Sequence, residues 1–491
     1  MNSFKNVKRT VKTVVMAETG GEYILPNDKP DVRRIVHVLA KTKKNGCFLD
    51  DQSVTAEAEI KFNILYSGDD GELHSVSYTA PVRAKYQMKD GQKGDTAISE
   101  FLPPDTQIRL SNPRKFSIKS RTPVSIFVYR REETEPYIEG VQDKGLQFYE
   151  KTGVTYSVSC ASDNNIPYSC DVRIPDDLPE PESVLSACAE TYIPSVTPSD
   201  GKADISFPVE ILFIYKPADG APASFRYKTE INHEMYADGV TAGSVCKANV
   251  CISDITYSLT TDTAGEMRVI ETDITYDAEL LYETADNGVY ISDMYSTEYE
   301  STATVGDITL RRALPAYSTH FSVSGSAENE SGGEVIAATA SCDKYGLTND
   351  NGTTVFDGEL GVYLIKKNGA DYEGQTVNVP VRSVIQYPFT DDDEINVTVK
   401  TGLPAARCDN GKIYIDTEVY LLINGTEYET VKSVMTFKVS DKPVNKEKIS
   451  LRLYRPSPDE EPWDVAKRYK VSLDDLRKAN ENNSKKIYII P

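Results

Sequence analysis

The sequence is poor in the residues that metal-dependent and nucleophilic catalysis most often use. Its 491 residues include one Trp and four His, and its eight Cys form no Cys-x-x-Cys pair. It contains no run of 18 apolar residues, the length that a membrane-spanning helix needs. Positive charge is also scarce, because 54 Lys and Arg face 75 Asp and Glu, for a net charge of −21. Such a surface repels phosphates and anionic lipids, so we expect neither nucleic acid nor membrane as a partner.

Motifs for known catalytic mechanisms are also missing. His233-Glu234 begins like the zinc-protease motif, but Ala237 stands where the second His ligand should be. There is no G-x-S-x-G elbow, phosphate-binding loop or dinucleotide glycine motif. Carboxylate pairs are abundant, yet no pair is marked for glycoside hydrolysis. We therefore predict no enzyme activity, no cofactor and no metal site; a glycosidase with a β-rich catalytic domain remains an alternative.

The N-terminus and the cysteines bear on the cellular compartment. Basic residues at positions 5–12 precede only a short apolar run, residues 13–17, which ends at Glu18 and is too short for a signal-peptide core. The cysteines are scattered, which is not typical of a disulfide framework. Cys246 and Cys251 are close enough in sequence to bridge a hairpin, but reduced, buried thiols are the favoured interpretation. We expect a cytoplasmic protein made without export.

An internal repeat organises most of the chain. Alternating apolar segments rich in Tyr, Thr and Val are separated by Gly, Asp and Asn turns, which indicates antiparallel sheet. One hairpin occurs three times, with Asp-Gly or Asn-Gly turns that favour positive φ: residues 60–66 with 76–82, 211–215 with 225–231, and 362–365 with 376–381. The outgoing strands end at Tyr66, Tyr215 and Ile365, which are 149 and 150 residues apart.

Further features recur in the same order around each hairpin. An apolar residue followed by Pro precedes each one, at Pro26, Pro175 and Pro315. A second hairpin-like pair follows each one, at residues 115–128, 268–282 and 412–423. We predict a mainly β fold of three tandem, antiparallel, sandwich-like repeat domains. Their expected bounds are residues 18–140, 145–298 and 299–440, after the basic segment 1–17 and before a linker at 441–448.

Acidic residues concentrate in one part of this body. Residues 251–310 hold 13 Asp and Glu against one Arg, which is more than half of the net charge. A solvated acidic face is the favoured interpretation. A docking surface for a basic partner is the alternative. No EF-hand spacing is present, so no calcium site is expected.

The last 43 residues differ in character from the body. Residues 449–491 carry a net charge of +2 and the single Trp. Residues 449–454 and 487–490 alternate like strands, Pro462 suits the first turn of a helix, and Ser472 with Asp475 is typical of a capping box. The predicted order is therefore β-α-α-β. In a domain this small, Trp463 is expected to anchor the core.

These C-terminal residues carry a family resemblance. Trp463, Ala466, Tyr469, Val471 and Leu476, with Asn480, follow the spacing W-x-x-A-x-x-Y-x-V…L-x-x-x-N, and the segment resembles a LysM domain. LysM domains commonly bind N-acetylglucosamine polymers through the loops beside their two strands. Here acidic residues replace the usual Gly-Asp-Thr-Leu before the Trp, and the last loop lacks its Pro-Gly. These differences favour a protein partner over a glycan.

The body carries a second resemblance. Residues 24–31 (ILPNDKPD), 64–66 (ILY) and 110–115 (LSNPRK) are similar to the SPOCS domain of spore-coat proteins, best over residues 18–131. Tandem SPOCS-like domains followed by one LysM resemble the SipL-type morphogenetic proteins of spore-forming Clostridia. The resemblance implies a scaffold that works in the mother cell at the forespore surface. It also implies binding to the coat-basement ATPase, the stage-IV-A sporulation protein, through the LysM domain.

The candidate site therefore lies on the LysM-like surface. It comprises the exposed polar residues that would face a partner or glycan: Asp459, Glu460, Glu461, Lys467, Arg468, Lys470, Arg477, Lys478, Asn482, Asn483 and Lys485. The leading hypothesis is a non-enzymatic scaffold in coat assembly that tethers coat to forespore by binding protein partners. The alternative is a cell-wall protein that binds peptidoglycan through its LysM, which would require export.

Overall fold

The computed structural model is built mainly of antiparallel strands, as the alternating pattern predicts. It describes residues 4–92, 94–134, 137–139, 145–350, 353–387, 389, 394–445, 451–457, 459–481 and 487–491. Within these ranges it contains 25 strands and two short helices. The mainly β class is therefore confirmed, while the division into three domains stays a prediction. We refer to residues 4–139, 145–298 and 299–445 as the first, second and third sections, and to the described residues from 451 onward as the C-terminal module.

The first section begins directly with a strand. Its strands are β1 (Phe4–Ile24), β2 (Val32–Leu49), β3 (Ser53–Gly68), β4 (Leu73–Gln87), β5 (Thr96–Phe101), β6 (Asp105–Asn112), β7 (Lys115–Thr134) and β8 (Tyr137–Glu139). β1 pairs with β7 along its whole length. The predicted boundary at residue 18 therefore falls inside a strand, because residues 4–17 are ladder partners of β7 rather than a separate basic segment.

The second and third sections contain the remaining long strands. Those of the second are β9 (Leu146–Arg173), β10 (Pro181–Thr191), β11 (Ser195–Ser199), β12 (Lys202–Pro217), β13 (Ala223–Tyr236), β14 (Val245–Thr260) and β15 (Val269–Ser296). Those of the third are β16 (Tyr299–Ala313), β17 (Tyr317–Glu328), β18 (Glu334–Asp350), β19 (Thr353–Asn368), β20 (Asp371–Ile385), β21 (Glu394–Thr401), β22 (Ala405–Asp409) and β23 (Lys412–Pro443). β8 pairs in parallel with β23, so the end of the first section joins a sheet of the third.

The C-terminal module has the predicted β-α-α-β order. It contains β24 (Arg452–Tyr454), α1 (Pro462–Tyr469), α2 (Leu473–Asn480) and β25 (Tyr488–Ile490). β24 and β25 pair antiparallel. The predicted linker at 441–448 overlaps the end of β23, which runs to Pro443, and its last three residues lie outside the described residues.

All three predicted hairpins are present. β3 pairs with β4, β12 with β13, and β19 with β20. Their turns contain Gly71, Gly220 and Gly369, all with positive φ (79°, 107° and 61°). The turn glycines are therefore required by backbone conformation, as predicted.

The register of the third repeat differs from the prediction by one residue. Tyr66 and Tyr215 are buried and donate hydrogen bonds to the carbonyl oxygens of Pro30 (3.3 Å) and Pro179 (3.1 Å). The residue with this role in the third section is Lys366, which is fully buried and bonds to a side-chain oxygen of Asn329 at 2.6 Å. Ile365, predicted at this position, faces the other side of the sheet, because neighbouring strand residues point to opposite faces.

The predicted closing hairpins are wrong. Residues 115–128, 268–282 and 412–423 each lie along one continuous strand, in β7, β15 and β23, apart from Arg268, which immediately precedes β15. In β7 the partner strand on one edge changes near Pro123. Here two shorter strands lie end to end along β7, since β6 pairs with residues 115–121 and β5 with residues 124–129. Pro tolerates this gap because it has no N–H to contribute to a ladder.

Each section has its own hydrophobic core between two sheets. The first core combines β3 and β4 with β7, and the second combines β12 and β13 with β14 and β15. The third combines β19 and β20 with β23. A smaller group, which we call the central cluster, joins all three sections; it comprises Val36, Leu65, Leu73, Leu212, Ile214, Ala337, Ile365, Tyr372 and Leu403.

Equivalent contacts connect the sections around the central cluster. The Ser75 hydroxyl donates to the Leu185 carbonyl oxygen (2.8 Å), linking the first section to the second. The Ser224 hydroxyl donates to the Ile336 carbonyl oxygen (2.5 Å), linking the second to the third. The donors are 149 residues apart and the acceptors 151 apart, so the internal repeat is expressed in contacts between sections as well as within them.

Basic residues from other parts of the chain neutralise much of the charge of the acidic segment 251–310. At least eight of its 13 carboxylates lie in ion pairs. Three of the basic partners come from the first section: Lys43, Lys44 and Lys61. The segment therefore does not form one continuous solvated acidic face as the sequence favoured, because other sections of the chain supply positive charge to it.

All eight cysteines are free thiols. Cys246 and Cys251 lie on the same strand, β14, five residues apart. At about 3.3 Å per residue their Cα atoms are separated by roughly 16 Å, far beyond disulfide reach. The hairpin bridge is therefore excluded. Burial is less uniform than predicted, because Cys342 is buried whereas Cys160 is exposed.

The described residues were also searched for membrane spans and metal clusters. None of the helices in the described ranges is long and apolar enough to cross a membrane. The same residues contain no group of three or more His, Cys, Asp or Glu placed to hold a metal ion.

Candidate functional site

The helices of the C-terminal module begin where the sequence indicates. Pro462 occupies the first turn of α1, and Glu461 and Asp464 form a reciprocal capping box. The chain leaves α1 through Lys470, which adopts the left-handed conformation (φ 54°). At the start of α2, the Ser472 hydroxyl accepts a hydrogen bond from the Asp475 amide at 3.0 Å. Both starts follow the usual chemistry of helix N-caps.

The residues predicted to form the core of the module lie together in one cluster. Trp463, Ala466 and Leu476 are buried, and Tyr469 and Val471 pack against them. The same cluster includes Tyr295 and Tyr149, which belong to the second section. The module therefore completes its core against the body, as expected for a domain too small to bury enough apolar surface alone.

The single Trp is held by aromatic residues of the body. Its ring stacks on Tyr149 with 4.9 Å between centroids and meets Tyr295 edge-on at the same distance. The Tyr295 hydroxyl also donates to the carbonyl oxygen of Val471 at 2.7 Å. Stacked and edge-on arrangements are both favourable for aromatic pairs, and the indole N–H of Trp463 and the hydroxyl of Tyr295 each donate a hydrogen bond.

One carboxylate of the body binds the same helix. Asp293 on β15 accepts a hydrogen bond from the Trp463 indole nitrogen at 2.8 Å. Its two oxygens also lie 2.6 Å from the Lys467 ammonium. The contact is charge-assisted and only partly exposed to water, and such hydrogen bonds are roughly twice as strong as neutral ones.

Lys470 extends this contact beyond α1. Its ammonium lies 5.6 Å from the centroid of the Tyr295 ring, within cation–π range. Burial and the nearby charge of Lys467 lower the pKa of Lys470. Two of the basic residues predicted to meet a partner therefore face the body of the same chain.

The acidic candidates are used mainly within the module. Glu460 accepts a hydrogen bond from the Tyr454 hydroxyl (2.8 Å) and pairs with Arg468 (2.7 Å). Glu461 caps α1 and accepts a hydrogen bond from Tyr149, which raises the pKa of that phenol. Asp459 is exposed at the rim of an open hollow lined by Ser457, Asp459, Glu460, Asp464, Lys467 and Arg468.

The remaining basic candidates face outward. Arg477 and Lys478 lie on the exposed side of α2, and the Arg468 side chain is about half exposed at the end of α1. Asn482, Asn483 and Lys485 lie outside the described residues. The described candidate residues thus divide into a group that contacts the body near Asp293 and a group that is exposed.

Sequence reasoning missed the residues of the body that bind the module. These are Gln147, Tyr149, Asp293 and Tyr295, with Gln147 accepting a hydrogen bond from the Leu473 amide at 3.3 Å. The only available signal was the acidic bias of residues 251–310, which includes Asp293. That bias could not identify one carboxylate among 13, because the contact depends on tertiary structure.

Comparison with known proteins gives one family match. The family model described as SipL, SPOCS domain, matches residues 31–109. The match covers about a sixth of the chain, running from β2 into β6, and lies inside the region of the expected resemblance. No curated protein and no solved structure matches the chain significantly. The SPOCS resemblance is therefore supported for the first section and links the chain to sporulation, while the LysM resemblance stays a prediction.

Proposed function

We propose that this protein is a non-enzymatic scaffold in spore-coat assembly that binds coat proteins through its C-terminal module and its β-sections. The observation that carries the proposal is the SPOCS-domain match at residues 31–109. It links the first section to a family named for spore-coat proteins. The proposed place of action is the mother-cell side of the forespore surface.

The architecture suits a scaffold. Three section cores and the central cluster connect strands from all parts of the body, so a partner bound at one sheet would be positioned relative to the others. Long antiparallel sheets also offer faces and edges for partner segments. This supports a role in positioning proteins.

The proposed contact surface for the partner is the exposed part of the C-terminal module. Arg477 and Lys478 project from α2 into solvent and suit an acidic surface on the partner. The resemblance stated above implies that this partner is the coat-basement ATPase, the stage-IV-A sporulation protein. We adopt it as the partner to test first.

A capture experiment tests the proposal. Tagged full-length protein is compared with the variant Arg477→Glu/Lys478→Glu in lysate from sporulating cells. The matched control is Lys8→Glu/Lys12→Glu, which makes the same charge change at exposed positions of β1. We expect the ATPase with wild type and control, and a strong loss with the α2 variant.

A sedimentation experiment with purified peptidoglycan accompanies the capture. Sedimentation of the wild-type protein without capture of any coat protein would contradict the scaffold proposal and favour the wall-binding alternative. Equal capture by all three proteins would move the contact away from α2.

A further inference from the structure

The proposed function leaves one face of the C-terminal module unexplained. Trp463, Lys467 and Lys470 form a basic and aromatic face, but the body covers it. Trp463 retains only 3% of its surface exposed. A partner cannot reach Trp463 while the module stays in the position that the structure shows.

We infer that Asp293 is a docking carboxylate, which holds the face formed by Trp463, Lys467 and Lys470 against the body of the same chain. An acidic partner binds Trp463 and Lys467 only by displacing Asp293. The inference rests on the proposed function for its partner-binding half. Its docking half stands on the contacts alone and is measured without any partner.

The chemistry of the contact specifies the competitor. The face presents one indole N–H, one ammonium within 2.6 Å of both Asp293 oxygens, and a second ammonium over Tyr295. A carboxylate satisfies the first two groups at once, and it is what occupies them here. A partner segment must therefore offer Asp or Glu to replace these bonds.

The surroundings favour reversible docking. The side chains of Asp293 and Lys467 are 23% and 41% exposed, so water and salt can reach the ion pair. Exposed ion pairs contribute little, whereas partly buried charge-assisted bonds contribute more. The contact combines this ion pair with the stacking of Trp463 on Tyr149, so we expect the module to dock reversibly.

Trp463 makes the docking directly measurable, because it is the only Trp in the chain. The experiment compares full-length wild type with Asp293→Asn, and with Asp286→Asn as a control of equal charge change at an exposed position of the same strand. We expect shielded, blue-shifted Trp emission in wild type and control. In Asp293→Asn we expect a red shift and a several-fold larger acrylamide quenching constant.

A second variant removes the partner of the carboxylate. Lys467→Gln should give the same change as Asp293→Asn, and the double variant should add little to either, because both remove one contact. Far-UV circular dichroism shows that each variant is folded. Trp emission that stays shielded in both variants would overturn the docking role of Asp293. Wild-type Trp emission that changes on dilution would overturn it too, because the contact would then lie between two copies of the chain.

The competition is tested with poly-L-glutamate as the acidic probe. Its affinity is read from Trp463 emission at fixed ionic strength. We expect Asp293→Asn to bind about tenfold more tightly than Asp286→Asn, the factor that corresponds to about 1.4 kcal/mol. Equal affinities would overturn the competition. The capture experiment on Arg477 and Lys478 fails or succeeds independently of this result, so failure of the proposed function is distinguishable.

Discussion

Gly374 on β20 lies against the carbonyl oxygen of Val36 on β2. A Cβ atom placed on Gly374 would come within 2.0 Å of that oxygen. Gly374 corresponds to Ser75 and Ser224 in the repeat, and Val36 corresponds to Leu185 and Ile336. The contact between the third section and the first thus completes the series of contacts between sections, and the close approach of the two backbones leaves no room for a Cβ atom at Gly374.

Replacement of Gly374 by Ala should weaken this contact. A methyl group would force β20 away from β2, and overpacking of this kind costs about 1–3 kcal/mol. The free energy of unfolding from urea titration measures the loss. Gly346→Ala is the control, since a Cβ at that position meets nothing within 4 Å. An equal effect of the two substitutions would contradict the assignment.

Arg311 and Glu283 form a second contact between sections that is open to test. The two side chains pair while only 2% and 10% exposed, and the guanidinium lies 5.2 Å from the ring centroid of Tyr129. Arg311→Met should destabilise the protein by about 3–5 kcal/mol, because it leaves a buried carboxylate without its partner. Thermal or urea unfolding measures the effect.

The control variants separate charge from packing. Arg312→Met removes the neighbouring charge, whose side chain is 65% exposed, and should change stability little. The double variant Arg311→Met/Glu283→Gln should recover part of the loss, since no unpaired charge remains. A double variant as unstable as the single one would show that packing alone is responsible.

Stability should fall in mild acid because of His37. Burial lowers the pKa of His37 to about 4, and its ring nitrogen lies 3.3 Å from the Thr339 hydroxyl. Below the ordinary pKa of 6.5 the unfolded chain binds a proton that the folded chain does not. Stability is therefore lost progressively as pH falls from about 6.5 to about 4, by at most about 3 kcal/mol.

The variant His37→Asn should remove this part of the pH dependence. His320→Asn is the control, because His320 is exposed. Unfolding free energies measured across the acidic range compare the slopes. A slope in His37→Asn as steep as in wild type would assign the acid sensitivity to other groups.

The order in which the cysteines react with an alkylating reagent should follow their burial in the fold. Burial raises the pKa of Cys188 to about 12 and that of Cys342 to about 11, so both should react with an alkylating reagent only on unfolding. Burial and Glu279 also raise the pKa of Cys160, but its side chain is exposed, so it should react before Cys188 and Cys342. Mass spectrometry of pulse-labelled protein gives the order. A melting temperature lowered by reductant would contradict the assignment of eight free thiols.

Local patterns predicted much of the fold. The Asp-Gly and Asn-Gly turns located three hairpins, and Pro462 and Ser472 located the starts of both helices. These signals work because they act within a few residues. The continuous strands β7, β15 and β23 were not predicted, because many of their ladder partners lie far away along the chain.

What could not be predicted depends on distant residues. Ile365 was predicted at the position of the repeat that Tyr66 occupies, but it lies on the opposite face of β19, in the central cluster. Only the packing of the three sections reveals this difference. That Lys467 and Lys470 face the body of the same chain could not be predicted either. Asp293 is 170 residues from Trp463, and no periodicity connects the two.

The central cluster also constrains synthesis. Leu65 emerges from the ribosome early, but its cluster neighbour Leu403 is translated 338 residues later. At about 5–20 residues per second this takes roughly 20–70 s. During that time Leu65 and Leu73 have no third section to pack against, so this apolar face of the first section stays uncovered until the third section is made.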